Sequence, residues 1–271
     1  MALNQSAEIV WNASNSAFLW YEIDGGASTE TLAIAPGTLH EHSRTIDEGA
    51  LSYTTQPVYQ EYGVHENEGL TVDGQEGYMA EGWMGQQYVA IGGNASKLCK
   101  PLIEFGDYDK KMLATGAAWD LGGGFTLVAR RIDRAGDRVW FVLEKDGIEL
   151  DSAVVSSGEV CVCRADVGDC EDGKNIPIFS CCVDAIFCGT DVNVVQVKHV
   201  FLIDCDPLEI DSDLFERRRV VTADSSQIVL RNDETIDLGA GTTEHIMDEM
   251  YFRIADNDSS VRFYPFVERL V

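Results

Sequence analysis

Apolar and polar residues alternate along much of this chain with a period of two, and the helical period is nearly absent. Leu51-Ser-Tyr-Thr-Thr55 alternates strictly, and Gln87-Tyr-Val-Ala-Ile91 stops at Gly92-Gly93. Phe125-Thr-Leu-Val-Ala-Arg-Arg-Ile132 and Arg138-Val-Trp-Phe-Val-Leu143 flank a polar turn at residues 133–137. Residues 192–203 form one long β-type run, and the aromatic, β-branched residues 17–23 read as a further strand. Short strands bounded by Gly, Asp and Asn, about 8–12 residues apart, predict a sandwich or barrel. Gly122-Gly-Gly124 reads as a hairpin turn and not as a phosphate loop, because neither Lys-Ser/Thr nor a helix follows it.

One pattern occurs twice. Trp119-Asp-Leu-Gly122 leads into Phe125–Asp133 and the aromatic return Arg138-Val-Trp-Phe141. Ile236-Asp-Leu-Gly239 leads into Met250-Tyr-Phe-Arg-Ile-Ala-Asp256 and Val261-Arg-Phe-Tyr264. The repetition predicts an all-β fold of two linked antiparallel β-sandwiches with very little helix. One copy lies mid-chain and one near the C-terminus. Residues 98–205 are therefore expected to form a cysteine-rich sandwich inserted into a discontinuous one built from residues 1–97 and 206–271.

Composition narrows the function. The 271 residues are 45% apolar, enough for a core, and carry 20 Lys+Arg against 46 Asp+Glu, a net charge of −26. Such a surface repels phosphate backbones and acidic lipids, which argues against nucleic acid and membrane surfaces as partners. No apolar run of about 18 residues is present to span a bilayer. The first residues have neither the basic nor the apolar region of a signal peptide. Secretion is nevertheless suggested by an even number of cysteines, eight, and by four N-x-S sequons at Asn4, Asn12, Asn94 and Asn257, the glycosylation candidates.

Several longer motifs resemble the S-layer duplication domain of methanogenic archaea. They are Trp11-Asn-Ala-Ser-Asn15, Trp20-Tyr-Glu-Ile-Asp24, Ser28-Thr-Glu-Thr-Leu32, Arg44-Thr-Ile-Asp-Glu-Gly-Ala-Leu-Ser-Tyr-Thr-Thr55 and Gly77-Tyr-Met-Ala-Glu-Gly-Trp-Met84. The C-terminal Met250–Asp256 and Val261–Pro265 stretches match that family's ending. The resemblance implies two linked β-sandwiches, an extracellular cell-surface location, assembly with copies of itself into a porous lattice, and no catalytic residues. Family members often carry two tandem copies, a stalk and a membrane anchor. One copy without stalk or anchor, rich in cysteine, points to a polymerising sheath, tube or filament subunit.

All eight cysteines fall between residues 99 and 205. Disulfides, a thiolate metal site and reduced core thiols all remain open readings, although Cys-x-Cys and Cys-Cys are not the usual zinc spacing. Cys99 and Cys205 bracket the middle segment and are candidates for a staple. Cys161, Cys163, Cys181 and Cys182 are candidates for local pairs, because residues 159–164 and 178–183 suit antiparallel pairing. Cys170 and Cys188 are candidates for bonds between subunits. The acidic loop holding Asp166, Asp169, Glu171 and Asp172 offers weak Ca²⁺ ligands without the EF-hand spacing. No other cofactor is expected. The alternative function is a secreted, monomeric carbohydrate- or protein-binding sandwich, with Trp11, Trp20, Trp83 and Tyr78 as stacking residues.

Overall fold

The computed structural model describes residues 7–21, 29–39, 44–133, 135–168, 173–189, 192–210, 214–215, 218–247, 249–257 and 259–268. It is all-β, with antiparallel sheets and one short α-helix among the described residues, Gly63–Glu68. No helix there is long and apolar enough to cross a membrane. The chain divides into two compact units. The first holds Met1–Val58, Ala80–Leu98 and Leu208–Val271, and the second Tyr59–Met79 and Cys99–Pro207. Residues 59–79 thus group with the middle of the chain rather than with the N-terminal segment.

In the first unit a six-stranded sheet runs in the order Ile9–Asn12, Thr31–Ile34, Leu51–Thr55, Ile228–Asn232, Arg218–Ala223, Leu214–Phe215. Its centre joins residues far apart in sequence: Tyr53 stands opposite Leu230 and Thr55 opposite Ile228. Alternation selects the face, so Leu51, Tyr53, Ile228 and Leu230 are sealed from solvent. Asn232 locks this pairing. Its Oδ1 accepts from the Leu51 amide (2.8 Å), and its Nδ2 donates to the carbonyls of Asp47 and Glu234 (2.8 Å each). A second layer places Ala80–Trp83 against Gln86–Ala90, with Trp83 edge-on to Tyr53 at 5.7 Å between ring centroids. Trp11 packs on Phe252 and Phe263 of the C-terminal three-stranded sheet.

Two expectations for this unit change. Of the strand expected over residues 17–23, residues 17–19 are turn and bend, Trp20 is irregular, and residues 22 and 23 lie outside the described residues. Leu19 is buried, and the Trp20 amide donates to the Glu30 carboxylate at 2.7 Å, so a side chain takes the bond a ladder would use. In the second Asp-Leu-Gly copy, Ile236–Asp237 pairs with Thr45–Ile46, and Thr243–Met247 pairs with the Met250–Ile254 strand. In the first copy, Ala118–Gly122 pairs directly with Phe125–Asp133. The two copies therefore share a sequence pattern but not a pairing.

The second unit stacks a four-stranded meander, Ala118–Gly122, Phe125–Asp133, Arg138–Lys145 and Ile148–Ser156, on a five-stranded sheet. The latter orders Lys110–Ala114, Asn193–Ile203, Ile176–Cys188 and Val160–Ala165, with Pro101–Glu104 also on the Asn193–Ile203 strand. The tight turn into Phe125 needs positive φ at Gly122, Gly123 and Gly124 (85°, 58°, 81°), which only glycine adopts without strain. Phe125, Leu127, Val139, Phe141 and Leu143 from one sheet, and Cys161, Cys163, Phe179, Val183, Val195 and Val197 from the other, are buried core.

Candidate functional site

Three of the motifs that carry the family resemblance meet in one place in the first unit. Thr29 and Glu30 come from Ser28–Leu32, Tyr53 and Thr55 from Arg44–Thr55, and Glu81 to Met84 from Gly77–Met84. Glu30 is fully buried, yet well paired. Its Oε1 accepts from the Tyr53 hydroxyl (2.6 Å) and the Gly85 amide (2.8 Å), and its Oε2 from the Trp20 amide. The Tyr53 oxygen in turn accepts from the Met84 amide at 3.0 Å. Burial, then the Glu30 charge, pushes the Tyr53 hydroxyl well above its usual range, so it remains a donor.

Glu81 is the uncompensated member. It is also fully buried, and neither carboxylate oxygen has a well-aligned hydrogen-bond partner among the described residues. The Thr55 hydroxyl spends its hydrogen on the Gly82 carbonyl at 2.7 Å. Burial raises the Glu81 carboxyl to about 8; Thr55 opposes this and Glu30 adds to it. At neutral pH Glu81 is thus mostly protonated, and the cluster carries one charge instead of two. Gly82 sits where nothing larger fits. A Cβ there would lie 2.6 Å from both the Glu30 carboxylate and the Thr29 hydroxyl, which accepts from the Gly82 amide (2.7 Å). This is a polar joint buried between two sheets.

The thiols lie in the second unit. Cys161 stands directly opposite Cys181 on neighbouring antiparallel strands, Cys163 opposite Phe179, and Cys182 opposite Val160. Cys161, Cys163 and Cys181 are fully buried. The Cys161 thiol hydrogen-bonds with those of Cys163 and Cys181; the Cys163 contact lowers its pKa, but the Cys181 contact and burial outweigh that and hold it well above the ordinary range. The three sulfurs do not converge on a shared ligand point. Cys99 is buried, Cys205 half-buried, and all six described cysteines are thiols in this structure. Cys170 and the side chain of Cys188 lie outside the described residues.

Asp204, Cys205 and Asp206 bring three ligand-type atoms close together. The Lys145 ammonium already occupies the point they share, 3.2 Å from Asp204, 3.0 Å from the Cys205 sulfur and 2.9 Å from Asp206. Of the weak Ca²⁺ candidates, Asp166 accepts from the Asn175 amide at 2.9 Å, while Asp169, Glu171 and Asp172 lie outside the described residues. At Asn12, Asn94 and Asn257 the side-chain oxygen accepts from both the amide and the hydroxyl of the sequon serine. Asn4 lies outside the described residues. Of the stacking candidates, Trp83 and Tyr78 are core, and Tyr78 donates to Glu104 at 2.9 Å. Trp11 lines an open groove of about 670 Å³ with Phe18, Tyr264 and Phe266. His199 and Ser180 flank a small cavity of about 10 Å³, room for about one water molecule.

Sequence comparison then decides the family. The S-layer protein family matches residues 2–256. The chain belongs to the S-layer protein family. Its curated relatives include the major S-layer protein of Methanosarcina barkeri, 31% identical over 98% of this chain, and that of Methanosarcina acetivorans, 30% identical over 96%. The major S-layer protein of Methanosarcina mazei is 29% identical over 96% of the chain. The chain spans about 39% of the length of each of these relatives. The buried acids at the centre of this S-layer chain's first unit, Glu30 and Glu81, were not visible as a site in the sequence. Each sits as a single acid in a β-type run, and only an acid at an inward position of the alternation hints at burial.

Proposed function

We propose that this S-layer family chain is a structural subunit of a cell-surface lattice, sheath or tube, that it assembles with copies of itself, and that it is not an enzyme. The family match over residues 2–256 carries the reading. The polar machinery of the first unit supports it, because it is buried and joins two sheets.

A subunit of charge −26 needs contacts that outweigh its own repulsion. The second unit offers apolar side chains exposed on its meander. Trp140, on the inner strand Arg138–Lys145, and Val154, on the edge strand Ile148–Ser156, are cross-strand neighbours, 42% and 62% exposed, and Ile148 is 70% exposed farther along that edge strand. Such exposed apolar side chains on and beside an edge strand suit a second copy. A stable contact there buries about 1,000 Å² or more. Cations bridging the acidic faces would lower the remaining repulsion.

Electron microscopy and sedimentation of the purified chain with calcium test the reading. Regular arrays, sheets or tubes are expected. A monomer at high concentration with no ordered assemblies would refute it in favour of a monomeric binding module.

A further inference from the structure

We propose that Cys99 and Cys205 form an oxidisable pair in which Cys205 reacts first with an external disulfide and Cys99 then closes a bond across the two ends of the middle segment.

The backbone brings the two thiols near one another. Ile203 is the antiparallel partner of Pro101, and the Asp204 amide donates to the Lys100 carbonyl at 2.9 Å. Cys205 and Cys99 are the next residues along the two strands from that bond, where the chain bends at Cys205 and the ladder resumes at Leu208 opposite Leu98. A disulfide between them requires Cα atoms about 4.4–6.8 Å apart. The two thiols are close enough for Cys205 to act electrostatically on Cys99.

Their surroundings differ, and that sets the order. Cys99 is fully buried, and burial, with Asp204, Cys205 and Asp206 adding, pushes its thiol to about 12. Cys205 is half-exposed, and the Lys145 ammonium places a donor hydrogen on its sulfur at 3.0 Å. Asp204 and Asp206 hold that ammonium in position. An incoming disulfide therefore meets Cys205, not Cys99. The Cys205 sulfur attacks one sulfur of R–S–S–R and expels R–S⁻, leaving a mixed disulfide. Cys99 gives up its proton and attacks the Cys205 sulfur, expelling the second R–S⁻. Two thiols are oxidised by two electrons, one external disulfide is reduced to two thiols, and the two protons end on the released thiols. One lysine among two aspartates leaves a local charge of −1, on a chain of charge −26. The site should thus prefer cationic disulfides such as cystamine to anionic ones such as oxidised glutathione.

The test uses the full chain, reduced and then freed of reductant. Limiting N-ethylmaleimide followed by peptide mapping should label Cys205 at least about tenfold faster than Cys99, Cys161, Cys163 and Cys181. Cystamine should then yield a Cys99–Cys205 peptide, faster than oxidised glutathione does, with the gap closing at high salt. Cys99→Ser should stop at a mixed disulfide on Cys205. Lys145→Gln should slow that first step, and Lys145→Arg should restore it. Cys99 joined to any other cysteine, or labelled as fast as Cys205, would overturn the proposal. The wild-type labelling order and peptide map decide this even if a variant fails to fold.

Discussion

Replacing Glu81 by Gln isolates the cost of a buried carboxylate. The Glu81 carboxyl titrates near 8 in the folded chain against an ordinary 4.5, with burial the main cause. Between those values the folded chain keeps a proton that the unfolded chain has lost. Stability from this group is therefore full below pH 4.5 and falls as pH rises through the folded value of about 8. At ~1.36 kcal/mol per unit, the difference amounts to about 3–5 kcal/mol above pH 8. Gln has the shape and neutrality of the protonated acid but cannot ionise. The variant should match the parent near pH 4.5 and exceed its stability by about 3–5 kcal/mol at pH 9. Urea unfolding at several pH values measures this. With Trp119 and Trp140 changed to Phe, the remaining tryptophans, Trp11, Trp20 and Trp83, all report on the first unit. Parallel pH profiles for parent and variant would refute the reasoning, because an ionised Glu81 would then be tolerated in the folded state.

The same joint yields two sterically and chemically distinct predictions. Gly82→Ala should destabilise the first unit by about 1–3 kcal/mol or more, since its Cβ has no room beside Glu30 and Thr29. Circular dichroism melting reads this as a lowered Tm. Tyr53→Phe removes the hydroxyl that donates to Glu30 and accepts from Met84, and should cost about 1.5–3 kcal/mol in denaturant unfolding. On the surface, the double variant Trp140→Ser, Val154→Glu should leave the melting temperature nearly unchanged while reducing assembly seen by sedimentation. Unchanged polymers would locate the contact elsewhere. Adding a calcium chelator should shift the same assay toward smaller species if cations bridge the acidic faces.

What the sequence determined by itself is local. Alternation over five to twelve residues settles where strands run and which side chains face inward, because the pleat repeats every two residues whatever the strand's neighbours. Leu51–Thr55, Phe125–Asp133, Arg138–Lys145 and Asn193–Ile203 are legible on that ground, as is the glycine turn that demands positive φ. The longer motifs are specific enough to mark the family. The failure at residues 17–20 shows the limit. A strand-like composition was overridden when the Glu30 side chain, ten residues away, took the Trp20 amide. Tertiary structure alone decided which distant strands became neighbours. The pairing of Leu51–Thr55 with Ile228–Asn232, the enclosure of Glu30 with Glu81, and the approach of the chain around Cys205 to that around Cys99 all follow from it. Alternation says that a residue points inward but not what it will meet there. That depends on which sheet edges and faces can close together over more than a hundred residues of chain, and so on the packing of the whole unit.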